Sequence, residues 1–167
     1  RPRHSFPTRR SSDLNSFLVI LTLVGIQQIN AQFTRRDSLQ GGLRIERTSY
    51  DVKRYDLNIT INPEQKSIKG FNEISFEVMV PTQKIQLDLF DNMKVDSIVW
   101  NTKKLKYNRD NDAVFIDFPE KLASKSNHKL KFYYSGNPKI AKNAPWDGGF
   151  VFKKDSNGKD FIGVAVQ

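Results

Sequence analysis

The stretch Tyr55–Ile61, YDLNITI, decides the fold class. Apolar and polar side chains alternate along it residue by residue, which is typical of a β-strand with one buried face and one face in water. A turn over Asn62–Lys66 follows, and the next segment, Ser67–Val80, keeps the alternation until Pro81 ends it. Gly70 interrupts the apolar face of this second segment, which predicts a bulge or a close approach of another backbone.

Strand-like segments continue to the end of the chain at short and regular spacing. Each is bounded by Asp, Asn, Gly or Pro, and the segments are KIQLDLF (84–90), KVDSIVW (94–100), KKLKY (103–107), DAVFIDF (112–118), HKLKFYYSG (128–136) and a pair joined by the turn 155–159. In that last turn, Asn157-Gly158 suits the positive φ of a hairpin. About eight or nine strands without a convincing helical period predict an all-β fold, an antiparallel β-sandwich.

Composition agrees with this fold class and narrows the function classes. The chain has 12 Phe and 5 Tyr among its 167 residues, and aromatic residues favour pleated strands. The net charge is +9, but four of the 27 basic residues lie in the first ten positions and most lysines alternate with apolar residues, as on the wet face of a strand. No nucleic-acid-binding motif is present, so we expect no nucleic-acid partner. The absence of cysteine excludes a disulfide, a thiol nucleophile and a cysteine-ligated metal.

The N-terminal part of the chain is interpreted as a set of segments that precede the folded domain. Residues 1–14 begin without Met and resemble the translation of a sequencing adapter, so we give them no biological role. Residues 15–31 contain the apolar run Phe17–Ile26, which falls short of the roughly 20 residues that span a bilayer. Together with the small residue Ala31, this run predicts a secretory signal peptide cleaved after Ala31. We therefore expect a secreted or periplasmic protein without a stable membrane anchor.

Residues that could carry out catalysis are scarce. After residue 14, His128 is the only histidine, and we expect it to be an exposed residue at the entry of a strand. The carboxylate pairs Asp88/Asp91 and Asp110/Asp112 lie in turns rich in Asn, where Asp side chains accept hydrogen bonds from local backbone. No set of zinc ligands and no Gly-x-Ser-x-Gly nucleophile motif occurs, so we predict no catalytic residue and no metal site in this sequence.

Six segments from Tyr50 onward indicate a protein family. Each alone is only a weak strand pattern, and their order and spacing together make the match specific. They are YDVKRYDLNITINPE (50–64), KGFNEISFEV (69–78), IQLDLFDNMKVDSI (85–98), DAVFIDF (112–118), LKFYYSGNPK (130–139) and PWDGGFVFKKDSNGKDFIGVAVQ (145–167). In this order they resemble the N-terminal β-domain of the M1 family of zinc metallopeptidases, the aminopeptidase N family, and PWDGGFVF resembles its bacterial branch. We therefore predict a polar leader over residues 32–48 and an aminopeptidase N-like β-sandwich domain over residues 49–167.

The resemblance implies a function for a parent protein rather than for this segment alone. In the family, the β-domain precedes a thermolysin-like catalytic domain with a Gly-x-Met-Glu-Asn type loop and a His-Glu-x-x-His zinc site, and neither motif occurs in this sequence. We therefore expect a truncated chain whose missing catalytic domain is its partner, with zinc as the parent's cofactor and a peptide as its substrate. The family places Gln or Glu at the end of the strand that Gln167 ends, so the resemblance implies a substrate-binding role for Gln167.

Two functions remain open at this point. In the first, the chain is the N-terminal domain of a secreted M1-type zinc aminopeptidase, docks on the catalytic domain, walls the substrate cleft and is inactive by itself. In the second, it is a free-standing secreted β-sandwich that binds a glycan or a protein through Trp100, Trp146 and Tyr133. The DNA beyond codon 167 separates them, because only the first function requires an open frame that reaches His-Glu-x-x-His.

Overall fold

The computed structural model describes residues 33–165 of the chain. Three predictions from the sequence concern residues outside this range. They are the artefact over residues 1–14, the signal peptide over residues 15–31 and the substrate-binding role of Gln167. Within residues 33–165 the chain forms two short helices and ten strands, with these bounds: α1 (Arg35–Gly41), α2 (Ile45–Thr48), β1 (Tyr50–Asn62), β2 (Ser67–Val78), β3 (Thr82–Asp88), β4 (Met93–Trp100), β5 (Lys103–Lys104), β6 (Lys106–Asp110), β7 (Ala113–Leu122), β8 (Asn127–Gly136), β9 (Gly149–Lys154) and β10 (Asp160–Ala165). Neither described helix has the length and apolar character needed to cross a bilayer.

The strands form two larger sheets and a hairpin. A five-stranded sheet has the order β1-β2-β8-β4-β5, a three-stranded sheet has the order β3-β7-β6, and β9 pairs with β10. Every pair of these strands is antiparallel. The inner faces of the two larger sheets share one hydrophobic core, which confirms the predicted antiparallel β-sandwich.

The core lies where the alternation of the sequence places apolar side chains on facing sides of the two sheets. Phe76, 1% exposed, stands near its centre, and Trp100 crosses Phe118 edge to face at 5.4 Å between ring centroids. The core side chains of the large sheet are Ile74, Phe76, Val78, Val95, Ile98, Trp100, Leu130 and Phe132, and those of the small sheet are Ile85, Val114, Ile116, Phe118 and Leu122.

The segment predicted to be a polar leader, in which the sequence shows no convincing helical period, contains two short helices. The helix α1 begins with a capping box, in which the Thr34 hydroxyl accepts from the Asp37 N–H at 3.2 Å and the Asp37 carboxylate accepts from the Thr34 N–H at 2.8 Å. Leu39, 2% exposed, packs against Ala113 and Phe115 of β7. The helices are seven and four residues long, so neither is long enough to show a helical period in the sequence.

Gly70 lies where the backbone of β1 comes close to β2. A Cβ at this position would lie 2.0 Å from the carbonyl oxygen of Asn58 and 2.8 Å from the Cα of Ile59. Both atoms belong to backbone, so neither can move aside without shifting β1. The close approach predicted from the sequence is confirmed.

Replacing Gly70 by Ala should lower the free energy of unfolding by about 1–3 kcal/mol, because the added methyl group forces the β1–β2 pairing apart. Urea unfolding followed by circular dichroism measures the change. The control is Gly41→Ala, since a Cβ on Gly41 at the end of α1 has no heavy atom within 4 Å. Equal stabilities of the two variants would contradict the expected crowding at Gly70.

Candidate interaction surface

An apolar stripe on β1 lies on the inner face of the five-stranded sheet without cover. The register places Tyr55 opposite Ile74 and Leu57 opposite Asn72, so these side chains share the face that forms the core. Nevertheless Tyr55, Leu57 and Ile59 are 57%, 64% and 38% exposed, whereas Ile74 is 4% exposed. The small sheet thus covers only part of the large one, and we call Tyr55, Leu57 and Ile59 the β1 stripe.

The strand that carries the stripe is also an edge strand. β1 pairs with β2 on one side, and within residues 33–165 no strand pairs with its other side. Alternate N–H and C=O groups of an edge strand point outward and can pair with another strand. β1 therefore offers both an apolar face and a free backbone edge.

An apolar cleft of about 440 Å³ opens beside the β1 stripe. Its lining comes from both larger sheets, from β9 and from the loop between β3 and β4. The lining side chains include Tyr50, Tyr55, Ile74, Leu87, Phe90, Met93, Phe132, Tyr134 and Phe150. The size of the cleft and the dominance of apolar side chains are typical of a site that buries a ligand or a partner's side chains.

Two buried acceptor oxygens in the lining have no hydrogen-bond donor among the described residues. They are Gln86 Oε1 and Asn72 Oδ1. The Gln86 side chain is fixed, because its Nε2 donates to the carbonyl oxygen of Leu39 at 3.0 Å and to Asp88 Oδ1 at 2.9 Å. Turning the amide over would place Oε1 against two acceptors. Both oxygens are buried, so they lie behind the apolar lining and are not open to an occupant of the cleft.

Tyr50, the first residue of β1, lines the cleft and connects the strand to the small sheet. Its hydroxyl donates to the backbone carbonyl of Gln86 at 2.6 Å, and its ring meets Phe76 edge to face at 5.6 Å. Burial raises the pKa of Tyr50 to about 12, so the hydroxyl keeps its proton and remains a donor at neutral pH. This contact fixes the position of β1 at one end and leaves the stripe beyond it uncovered.

The loop between β3 and β4 forms one rim of the cleft and is held by a single guanidinium. Arg109 donates to the carbonyl oxygens of Met93 at 2.5 Å, Leu89 at 2.6 Å and Phe90 at 2.6 Å. Asp112 accepts from the backbone N–H of Asp91 in the same loop at 2.8 Å. Because these bonds fix the backbone on both sides of Phe90, the rim is preformed.

Asp112 is a buried carboxylate that links the rim loop to helix α1. It is 2% exposed and accepts two bonds from Arg36, at 2.7 and 2.6 Å, and one from Gln40 at 2.7 Å. The bonds from Arg36 hold the pKa of this carboxyl below its usual value. The sequence predicted bonds to local backbone, and this is wrong for Asp112, whose partners lie 21 to 76 residues away.

The neighbouring carboxylates also pair with the segment 34–48. Asp110 accepts from Arg35, and Asp88 accepts from Arg47 at 2.6 Å as well as from Gln86. These carboxylates have structural partners, as expected, although the partners are side chains rather than local backbone, and the charged ones, Arg35 and Arg47, belong to the segment predicted to be a leader.

His128 is half-buried, so its expected exposure at a strand entry is wrong. Its ring lies 5.6 Å from that of Phe76 and 5.7 Å from that of Trp100, and its Nε2 is 2.7 Å from Ser126 Oγ. Burial lowers its pKa. No group of three His, Cys, Asp or Glu side chains that could hold a metal ion exists among residues 33–165.

The aromatic platform considered for a binding module does not form. Trp100 is 4% exposed and belongs to the core, so it is removed from the proposed set. Trp146 is 82% exposed in the loop before β9, whereas Tyr133 packs on Phe71, with ring centroids 5.1 Å apart, on the outer face of the large sheet. That outer face is polar: Lys129 and Lys131 of β8 lie 3.3 and 3.5 Å from the Glu73 carboxylate, as expected for the wet side of a strand.

Residues 51–164, more than half of the chain, match the family described as the peptidase M1 N-terminal domain. The chain belongs to this family. No curated protein sequence is significantly similar to this M1 N-terminal domain. The resemblance identified from the ordered segments between Tyr50 and Gln167 is confirmed.

Solved structures with a similar fold are M1 peptidases. An M1 zinc metallopeptidase from Deinococcus radiodurans, as a mutant bound to a Tyr-Ser-Ala substrate, has a TM-score of 0.51 at 22% identity; the match covers 59% of this chain and 22% of that chain. Yeast LTA4 hydrolase in complex with bestatin has a TM-score of 0.51 at 14% identity, over 68% of this chain and 18% of that one. At these identities the likeness concerns the fold, and this M1 N-terminal domain spans about a fifth of the length of the structures it matches.

Sequence reasoning missed the two unpaired acceptors of the cleft. Asn72 stands in the inward series of β2, two residues from Ile74 on the same face, and Gln86 is 1% exposed within β3. The signal that could have identified them is an amide side chain at a position where the alternation predicts a buried apolar residue. Buried amides normally have hydrogen-bond partners, so such a position raises the question of what its partner is.

Proposed function

We propose that this M1 N-terminal domain is part of a secreted zinc aminopeptidase, in which it docks on the catalytic domain and walls one side of the substrate cleft. The membership of residues 51–164 in the family carries the proposal. The β1 stripe supports it, since a contiguous exposed apolar patch on a β-sandwich calls for a partner. The free-standing binding module has no comparable support, because Trp100 is buried.

The side chains of residues 33–165 do not fit a zinc site. Within residues 33–165 no three potential ligands come together, and His128 lies among core aromatic rings. The zinc and its general base therefore belong to the catalytic domain, and no step of peptide hydrolysis is assigned to this chain. The part proposed for Gln167 is to accept a hydrogen bond from the substrate's ammonium group in the full-length enzyme, and Gln167→Ala should raise KM there more than it lowers kcat.

The decisive experiment is to read the source DNA past codon 167 and to express the complete frame. An open frame that encodes His-Glu-x-x-His supports the proposal, and a stop codon directly after codon 167 overturns it. Secretion is tested on the same material, because N-terminal sequencing of the mature protein should begin at Gln32.

The 167-residue chain by itself should not hydrolyse an aminoacyl-anilide, with or without added zinc, because it lacks the ligands that activate water. The complete polypeptide, assayed in parallel with zinc, should hydrolyse the same compound and should lose this activity in a chelator. Chelator-sensitive turnover by the purified chain would contradict the assignment of the chemistry to another domain.

A further inference from the structure

We propose that residues 34–48 form a strap whose docking sets the conformation of the rim loop, residues 89–92, so that the rim of the cleft is controlled from outside the cleft. With the strap docked, the Asp112 side chain holds the Asp91 half of this loop, and opening of the strap releases that half alone. This coupling goes beyond the proposed function and does not depend on it, because all of its contacts lie within residues 34–115.

One apolar side chain and a set of polar contacts dock the strap. Among the residues of the strap, all of which lie in the described range, only Leu39 is buried, and it packs against Ala113 and Phe115. By contrast, Leu43 and Ile45 are 88% and 56% exposed. The helices α1 and α2 have seven and four residues, fewer than the roughly 12–15 that a helix needs to persist in water on its own. We therefore expect the strap to keep its helices only while docked and to open as one unit before the sheets do.

The strap reaches the rim loop through the Asp112 carboxylate, which is 2% exposed. In the described part of the chain, this carboxylate accepts two bonds from Arg36, at 2.7 and 2.6 Å, one from Gln40 at 2.7 Å and one from the N–H of Asp91 at 2.8 Å. Arg36 also lies 3.0 Å from the carboxylate of Asp91. When the strap opens, Asp112 loses the bonds from Arg36 and Gln40 and becomes accessible to water, which competes for the oxygen that holds Asp91.

The other half of the rim loop has supports that do not involve the strap. The guanidinium of Arg109 donates to the carbonyl oxygens of Leu89 and Phe90, both at 2.6 Å. The N–H of Leu89 donates to the backbone carbonyl oxygen of Asp112 at 2.9 Å, whereas the N–H of Asp91 donates to the side chain of the same residue. Because a backbone oxygen stays in place when the carboxylate turns, opening of the strap releases the Asp91 amide and leaves the Leu89 amide bonded.

Hydrogen exchange of single amides, measured by NMR on the 167-residue chain, tests this coupling with the neighbouring variants Arg36→Ala and Arg35→Ala. Arg36→Ala removes the charged bonds to Asp112, so the Asp91 amide should exchange at least about tenfold faster than in the wild type. Arg35 pairs with Asp110 and is 72% exposed, so Arg35→Ala should change the Asp91 rate by less than about twofold. Equal effects of the two substitutions on the Asp91 amide would overturn the proposal.

The Leu89 amide is the internal control of the same experiment, since it bonds to the backbone of Asp112. It should keep its rate, within about twofold, in the Arg36→Ala variant. If the Leu89 and Asp91 amides accelerate equally, the loop or the domain has loosened as a whole, and the separate control of the Asp91 half is overturned.

The variant Leu39→Ala distinguishes opening of the strap from the direct contact of Arg36 with the rim loop. It leaves the Arg36 side chain in place but removes apolar atoms that dock α1, so it increases the open fraction of the strap. The amides of Ser38 and Gly42, which donate to carbonyl oxygens within the strap, should then accelerate by the same factor as the Asp91 amide, about tenfold. An Asp91 amide that keeps its rate while those of Ser38 and Gly42 accelerate would overturn the proposal.

The arginine variants decide the outcome by themselves if Leu39→Ala does not fold. Arg36 and Arg35 are 42% and 72% exposed, so neither substitution opens a cavity in the core. None of these exchange rates depends on peptidase activity, so a negative result overturns the coupling and leaves the proposed function unaffected.

Discussion

Replacing Phe76 by Ala should lower the free energy of unfolding of this M1 N-terminal domain by about 3–5 kcal/mol. The side chain is 1% exposed, and its ring has aromatic neighbours on three sides: Tyr50 at 5.6 Å, His128 at 5.6 Å and Phe118 at 6.3 Å. These neighbours belong to β1, β8 and β7, so the cavity left by the substitution lies between elements that cannot collapse independently. Domains of this kind are stable by about 5–15 kcal/mol, so most of the stability should be lost.

Urea unfolding followed by tryptophan fluorescence measures this loss, since Trp100 lies in the same core. The control is Phe161→Ala, which removes the same atoms from a side chain of β10 that is 56% exposed, and which should change the stability far less. If the Phe76 variant does not fold, its far-UV spectrum should show this while the control spectrum stays native. A loss no greater at Phe76 than at Phe161 would mean that the centre of the core lies elsewhere.

The strands could be predicted because their signal is local. The alternation in Ser67–Val80 and the turn over Asn62–Lys66 predict the end of β1 and both ends of β2 to within two residues. The alternation in Tyr55–Ile61 misses residues 50–54 of β1, where a bulge interrupts it. Gly70 marks the close approach of the two backbones. Each of these features depends on neighbours within a few residues. The fold class follows from repeating them along the chain.

The partners of the carboxylates could not be predicted because they lie far away in the chain. Arg36 and Asp112 are separated by 76 residues, and Arg47 and Asp88 by 41. The Asn-rich turn around Asp112 favours local hydrogen bonds. No local sequence pattern predicts that a short helix places the Arg36 guanidinium beside the Asp112 carboxylate. The two helices were missed for the same reason, since tertiary contacts of Leu39 rather than helical periodicity stabilise α1.

The cleft also lies beyond what alternation can predict. The apolar series on β1 from Tyr55 to Ile61 alternates regularly in sequence, yet Leu57 is 64% exposed whereas Ile74, opposite Tyr55 on the same face, is 4% exposed. The alternation of apolar and polar residues predicts the face of the sheet on which a side chain lies. Whether that side chain is buried depends on how far the opposing sheet extends over it. The three-stranded sheet is narrower than the five-stranded one, and the difference leaves the β1 stripe open.

Replacing Asp112 by Ala should lower the free energy of unfolding by about 3 kcal/mol, because it removes charge-assisted bonds to a buried carboxylate and leaves the N–H of Asp91 without its acceptor. The lost bonds are those from Arg36 and Gln40, together with the bond that fixes the rim loop. The control is Asp110→Ala, whose partner Arg35 is 72% exposed, so that its pairing is screened by water and contributes much less. Similar losses in the two variants would contradict a special position for Asp112.

The dependence on pH distinguishes the Asp112 carboxylate from a merely well-packed side chain. The bonds from Arg36 lower the pKa of Asp112 in the folded state, so the unfolded chain binds this proton more tightly. The stability that Asp112 contributes is therefore fully present above the unfolded pKa of about 3.9 and is lost as the pH falls through the lower, folded pKa. The stabilities of the wild type and the Asp112→Ala variant should differ most at pH 7, and the difference should shrink as the pH is lowered from about 3.9 to about 2. A difference that stays constant down to that pH would show that the lost packing of the side chain, and not its charge, stabilises the rim of the cleft.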